Sequence, residues 1–159
     1  MAKFEVIDGI AIIPDNVEHI PDDAFLLSEE LEQVVVPDTV RTIGTNAFAA
    51  CTNLRRVVIG NSVTEIGTFA FSECKSLESV TFGRSLDSIG NYSFLYCESL
   101  KEVIIPDSVR KIGHGAFSKC RSLEFVIWGK GVVAIDDYAF EMCSSLVDMV
   151  IPDTVTNVG

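Results

Sequence analysis

The sequence predicts an α/β repeat solenoid, in which units of 23 residues stack as successive turns of one coil. Three observations carry this expectation. A phenylalanine recurs at a constant interval, an alternating apolar segment is closed each time by Pro or Gly, and a short apolar stretch follows with helical spacing. Phe25, Phe48, Phe71, Phe94, Phe117 and Phe140 stand 23 residues apart with no insertion between them. Repetition of this length marks an array whose units cannot bury their apolar sides alone and do so by stacking.

The remaining columns keep the same register. The residue before each phenylalanine is Ala24, Ala47, Ala70, Ser93, Ala116 or Ala139. Three residues after it stand Ser28, Cys51, Cys74, Cys97, Cys120 and Cys143, and six after it Leu31, Leu54, Leu77, Leu100, Leu123 and Leu146. Next, Val34 and Val36 recur as Val57/Ile59, Val80/Phe82, Val103/Ile105, Val126/Trp128 and Met149/Ile151. An i, i+2 spacing is the period of a strand with one face turned inward. Pro37, Gly60, Gly83, Pro106, Gly129 and Pro152 end that strand.

A second apolar pair follows, from Val40/Ile43 to Val155/Val158, and closes on Gly in every unit but that of Ile135. Glycine there predicts a turn with φ > 0. The run Ala47-Phe48-x-x-Cys51-x-x-Leu54 then has i, i+4, i+7 spacing, which predicts one or two helical turns with one side on the core. Strands one unit apart would lie about 4.8 Å from each other, so six units make a parallel sheet roughly 25–30 Å long.

The first residues depart from the pattern. Phe4-Glu5-Val6-Ile7, Asp8-Gly9 and Ile10-Ala11-Ile12-Ile13-Pro14 form two apolar segments around a two-residue Asp-Gly turn, a hairpin signal. Such a hairpin would cover the open edge of the first coil. The expected organisation is one domain over 1–159, with a hairpin cap at 1–13 and about six repeats over 14–159, the last incomplete. Val155 and Val158 stand ready for a further coil or for end-to-end self-association.

The unit Ile105-Pro106-Asp107-Ser108-Val109-x-x-Ile112-Gly113-x-x-Ala116-Phe117-x-x-Cys120-x-Ser122-Leu123-x-x-Val126 resembles the BspA-type leucine-rich repeat, over nearly the whole chain from about Ile12. The resemblance implies a leucine-rich repeat right-handed coil, with a parallel β-sheet on the concave side and short strands or helical turns elsewhere. It implies a surface or secreted binding or adhesion protein and supplies no catalytic residues. The start of this chain shows no basic segment followed by an apolar stretch of signal type, so the compartment stays open.

Composition narrows the partners. The chain has 12 basic and 23 acidic residues, a net charge of −11. An acidic surface repels a phosphate backbone, so no nucleic-acid partner is expected, and it equally disfavours anionic lipid. No apolar run approaches the ~18–20 residues of a membrane span, so no membrane insertion is expected.

Candidate chemistry is sparse, and no catalytic, metal or cofactor site is expected. The cysteines form one column at roughly one strand spacing, but their side chains point the same way and no C-x2-C pair converges as zinc requires. They read as small apolar core residues. His19 and His114 fall in different columns and read as surface residues. Asp22-Asp23 and Asp136-Asp137 read as helix N-caps before a cation site, which needs 6–8 oxygens.

Two strips remain as candidate binding surfaces. Val35, Val58, Thr81, Ile104, Ile127 and Val150 alternate with the inward strand residues and so face outward, beside Gln33, Arg56, Ser79, Glu102, Phe125 and Asp148. An exposed apolar strip marks a contact site, although β-branched residues also favour strands for their own sake. The second strip is aromatic: Phe69, Tyr92, Tyr96 and Tyr138, with Leu95 beside them. The expected function is therefore a non-enzymatic scaffold for a protein or glycan ligand, or alternatively a structural, self-assembling repeat segment.

Overall fold

The computed structural model describes residues 4–147 and 149–159. A short hairpin, β1 (Glu5–Ile7) and β2 (Ile10–Ile12), opens the chain. Long strands follow at β4 (Gln33–Val35), β6 (Arg56–Val58), β8 (Ser79–Thr81), β10 (Glu102–Ile104) and β12 (Phe125–Ile127). Two-residue strands alternate with them: β3 (His19–Ile20), β5 (Thr42–Ile43), β7 (Glu65–Ile66), β9 (Ser88–Ile89), β11 (Lys111–Ile112), β13 (Ala134–Ile135) and β14 (Asn157–Val158).

Every parallel pairing between coils is in the register of the repeat, as in Val34↔Val57 and Ile43↔Ile66. The short strands form one continuous seven-stranded sheet from β3 to β14. The long strands do not. They form a five-stranded sheet, β1-β2-β4-β6-β8, and a separate pair, β10-β12.

The core is a set of ladders. Phe48, Phe71, Phe94 and Phe117 are completely buried. From Phe25 to Phe140 consecutive rings stack with centroids 4.9–5.4 Å apart and planes within 10°. That spacing is close to the separation of neighbouring strands, so one ring per coil fills the column without forcing the coils apart. Phe4 stacks on Phe25 at 5.3 Å and extends the ladder by one ring.

The hairpin forms as its Asp-Gly turn predicts. Asp8 and Gly9 both have positive φ, 49° and 77°, as a two-residue hairpin turn of the I′ type requires. The carbonyl of Gly9 accepts the amides of Glu32 and Gln33 at 2.7 and 2.9 Å. The hairpin thereby docks on the first coil through backbone bonds.

The expected helical turns are absent: among the described residues there is no helix. The segment around each phenylalanine is a chain of overlapping turns, broken every four residues by a left-handed residue. Two positions before the phenylalanine, Asp23, Asn46, Phe69, Tyr92, Gly115 and Tyr138 have φ of 52–59°. Two positions after it, Leu27, Ala50, Glu73, Tyr96, Lys119 and Met142 have φ of 55–61°. An α-helix cannot pass through such residues.

Hydrogen bonding explains the choice. Amides at alternate positions close i→i−3 turns, as Ala70 N–H to Gly67 O and Ser72 N–H to Phe69 O. The intervening amides leave the coil altogether: Phe69, Phe71 and Glu73 donate to Asn91, Ser93 and Leu95 of the next coil at 2.7–3.0 Å. A helix would spend all of these donors within its own coil, whereas the turns use half of them to join neighbours.

The glycines that close the short strands also differ from expectation. Gly44, Gly67, Gly90 and Gly113 are not in the positive-φ region, which among glycines holds only Gly9 and Gly115. Their need is space, since a Cβ on Gly67 would lie 2.7 Å from the carbonyl carbon of Gly44 in the preceding coil.

Candidate functional site

The strip foreseen on the long strands lies at the surface. Val34, Val57 and Val103 point inward and are at most 1% exposed. Their neighbours point outward: Val35, Ile104, Phe125, Ile127 and Val150 are 46–78% exposed, Thr81 is exposed and Val58 half-buried. Asp148 lies outside the described residues.

The face changes character along its length. Over the first three coils the outward rows are Gln33, Arg56 and Ser79 beside Val35, Val58 and Thr81. From β10 onward they become Glu102 and Phe125 beside Ile104 and Ile127, with exposed Val147 and Val150 after them. The column just ahead of the strands alternates in sign, Glu32, Arg55, Glu78, Lys101, Glu124, with Arg55 and Glu78 paired at 3.7 Å. Both are well exposed, so the pair orders the surface more than it stabilises the fold. At the hairpin end Ile7, Ile10 and Ile12 are also exposed. They continue the face through β2, a contribution that treating the hairpin only as a cap overlooks.

The aromatic strip divides in two. Phe69 and Tyr92 stack at 5.0 Å, and Tyr92 meets His114 edge-on at 5.1 Å, which in turn meets Tyr138 at 5.2 Å. His114 is half-buried in this row and so is not the plain surface residue that its isolated column suggested. Gly115 occupies the aromatic column in that coil, and the ring of Tyr92 lies where its Cβ would be. Tyr96 belongs elsewhere, on the far side of the phenylalanine column, where its hydroxyl accepts a hydrogen bond from Lys119 Nζ at 2.8 Å. That bond raises the Lys119 pKa.

The cysteine column is core. Cys51, Cys74, Cys97, Cys120 and Cys143 are buried free thiols. Each donates Sγ–H to the carbonyl of the phenylalanine 26 residues earlier, at 3.1–3.3 Å. Burial pushes Cys51 up to about 12 and Cys143 to about 11, and holds Cys74, Cys97 and Cys120 well above the ordinary thiol value. A thiolate is the nucleophile and the metal ligand, so thiols held protonated this firmly are poor at either task.

The acidic pairs do not cap helices, since none exist there. Asp22 Oδ1 accepts the backbone N–H of Thr45, its counterpart one coil on, at 2.7 Å, and Asp23 accepts from Asn46 Nδ2 at 3.1 Å. Asp38, Asn61 and Asp107 repeat the Asp22 arrangement on Asn61, Arg84 and Lys130. These side chains are axial ties between coils. Asp136 instead pairs with Lys111 at 2.8 Å. His19 Nδ1 lies 2.8 Å from Thr42 Oγ1. Val158, in β14, is exposed and Val155 half-buried. Among the described residues no group of three His, Cys, Asp or Glu is placed to hold a metal ion.

Comparison with known proteins follows the geometry. A family model described as the BspA type leucine rich repeat region matches six copies over residues 10–124. The chain is similar to the solved leucine-rich repeat protein of T. pallidum, with 32% identity and a TM-score of 0.82 over 98% of this chain and 78% of that one. It is similar to a leucine rich cell surface protein of Faecalibacterium prausnitzii, with 33% identity and a TM-score of 0.76, over 98% of this chain and 48% of that one. A leucine-rich repeat protein from Eubacterium ventriosum shares the fold, with 24% identity and a TM-score of 0.86, over 92% of this chain and 40% of that one. The chain thus spans less than half the length of the last two. No curated protein matches it significantly in sequence.

Proposed function

The chain belongs to the BspA-type leucine-rich repeat family, and from that premise we propose that it is a non-enzymatic binding scaffold whose partner docks on the outward face of the long strands. The carrying observation is the strip of Ile104, Ile127 and Val150 with Phe125 beside it, each more than half exposed on a chain whose inward apolar columns are buried. Exposed contiguous apolar surface of this kind marks contact sites.

The chemistry favours a protein over a glycan. Branched aliphatic side chains offer dispersion and water release to another apolar surface, and only Phe125 offers a flat ring on which a sugar could lie. The charged column beside the strip supplies orientation more than affinity. A location at the cell surface is part of this proposal, supported by the similarity to the F. prausnitzii cell surface protein.

The test is capture of partners from surface-protein extracts, run beside a glycan array, with the wild-type chain and with Ile104→Lys combined with Ile127→Lys. Loss of protein capture in the double variant, with unchanged thermal unfolding, is the expected result. Capture that persists unchanged would remove this face as the binding site, and selective array binding would move the assignment to glycans.

A further inference from the structure

We propose that the solenoid carries a hinge between the coil of Phe71 and the coil of Phe94, set by the ring of Phe82. The two halves of the long-strand face, before and after this seam, would tilt against each other about it. The inference concerns motion of the scaffold and stands whatever binds there.

The position eleven residues after each phenylalanine is Val36, Ile59, Phe82, Ile105, Trp128 and Ile151. Where it is aliphatic the long strands stay joined. Val36, Ile59 and Ile105 donate their amides to Val58, Thr81 and Ile127 of the next coil, each at 2.8 Å. The return bonds run from Arg55 to Glu32, from Glu78 to Arg55 and from Glu124 to Lys101, at 2.8–2.9 Å.

At Phe82 the joining fails. The corresponding bonds of Phe82 to Ile104 and of Lys101 to Glu78 are not made, and β8 and β10 fall into separate sheets. The Phe82 ring stands edge-on to Phe94 of the following coil, with centroids 5.7 Å apart and planes at 83°. Trp128 repeats the ring arrangement on Phe140 at 5.7 Å and 73°. A ring inserted where a branched aliphatic suffices must displace backbone, because the interior is already close-packed. Val80, beside the break, is 9% exposed where Val34 and Val57 are fully buried.

The other two connections cross the same seam intact. β9 pairs with β11, and Phe69, Phe71 and Glu73 keep their bonds to the next coil. A body joined along two sides and open along the third pivots about the joined sides. Hinges of this sort place the movement in a few residues. The seam is also where the outward rows change from Ser79 and Thr81 to Glu102 and Ile104, so the pivot separates the two halves of the face.

Amide exchange on the intact chain tests this, because local opening is read residue by residue. The expected result is exchange at residues 82 and 101 at least tenfold faster than at their counterparts 59 and 78. Phe82→Val should slow both by a similar factor. Ile105→Phe should transplant the seam, speeding exchange at residues 105 and 124. Spin labels replacing Gln33 and Glu124 should give a narrower distance distribution in Phe82→Val than in the wild type. Slow exchange at 82 and 101 in the wild type would overturn the hinge whether or not either variant folds. So would equal distance widths in the wild type and a folded Phe82→Val.

Discussion

The inner and outer sides of the long strands are one residue apart in sequence and opposite in consequence. Val34, Val57 and Val103 are buried to within 1%. Val35 and Ile104, their immediate neighbours, are about half exposed. Both sides use branched aliphatic residues, so strand propensity does not distinguish them. The inner side repeats because each residue must match the one 23 positions away across a strand spacing. The outer side has neighbours at the same spacing, as Val35↔Val58 and Ile104↔Ile127, but solvent rather than packed core lies over it, and it varies from Thr81 to Phe125. Constancy is thus a signature of stacking, and variation a signature of surface that is free to specialise.

The sharpest way to break this contrast is Phe94→Ala. Removing a fully buried ring from the middle of the ladder should cost about 3–5 kcal/mol, measured as a shift in urea midpoint. A loss below 1 kcal/mol would mean the column is not the core.

A second test titrates the inner side. The folded chain holds Cys51 and Cys143 protonated to about 12 and about 11, while a thiol in the unfolded chain releases its proton near 9.0. Raising the pH therefore draws protons from the unfolded state first, and stability should fall from pH 9 towards 11 and be insensitive to these groups below that. Chemical denaturation at pH 7.5, 9 and 10.5 measures the slope, which should be shallower in Cys51→Ser combined with Cys143→Ser. The same thiols should resist a disulfide reagent at neutral pH until the chain unfolds.

The smallest expected effect belongs to the outer side. Ile104→Lys should change stability by no more than about 0.5 kcal/mol, the range of surface substitutions. A loss as large as that of Phe94→Ala would show that the outward column is structural after all.

The solenoid, its 23-residue register and the buried columns were legible because each follows from an invariant spacing, and the hairpin because Asp8-Gly9 stands between two apolar segments. The absence of helical turns is not legible, for a definite reason. Ala47, Cys51 and Leu54 have spacing that a helix and a chain of turns both satisfy, and what separates them is a bond to a coil 23 residues away. A local signal did exist, since Asp23, Asn46 and Gly115 are residue types that tolerate positive φ. Phe69, Tyr92 and Tyr138 at the same position obscured it. The outward strip was legible as an alternation, whereas the break in its sheet between β8 and β10 emerges only when Phe82 is seen against Phe94. The seam had its mark in the sequence, two aromatics in an aliphatic column, but its effect depends on how far a ring reaches between coils.

The turn ladder has an electrical consequence. In the five coils from Phe25 to Phe117 the amides two before, at and two after the phenylalanine donate in one direction, towards the following coil, as Asp23, Phe25 and Leu27 do to Thr45, Ala47 and Ala49. Peptide dipoles that alternate in an ordinary sheet largely cancel, whereas these align along the axis as they do in a helix. The turn-ladder side of the solenoid is therefore polar along the axis, with N–H groups leading towards higher residue numbers, while the strand sides carry amides in both directions. Two such bodies meeting end to end are matched head to tail, and a two-fold symmetric contact between like ends sets equal poles against each other.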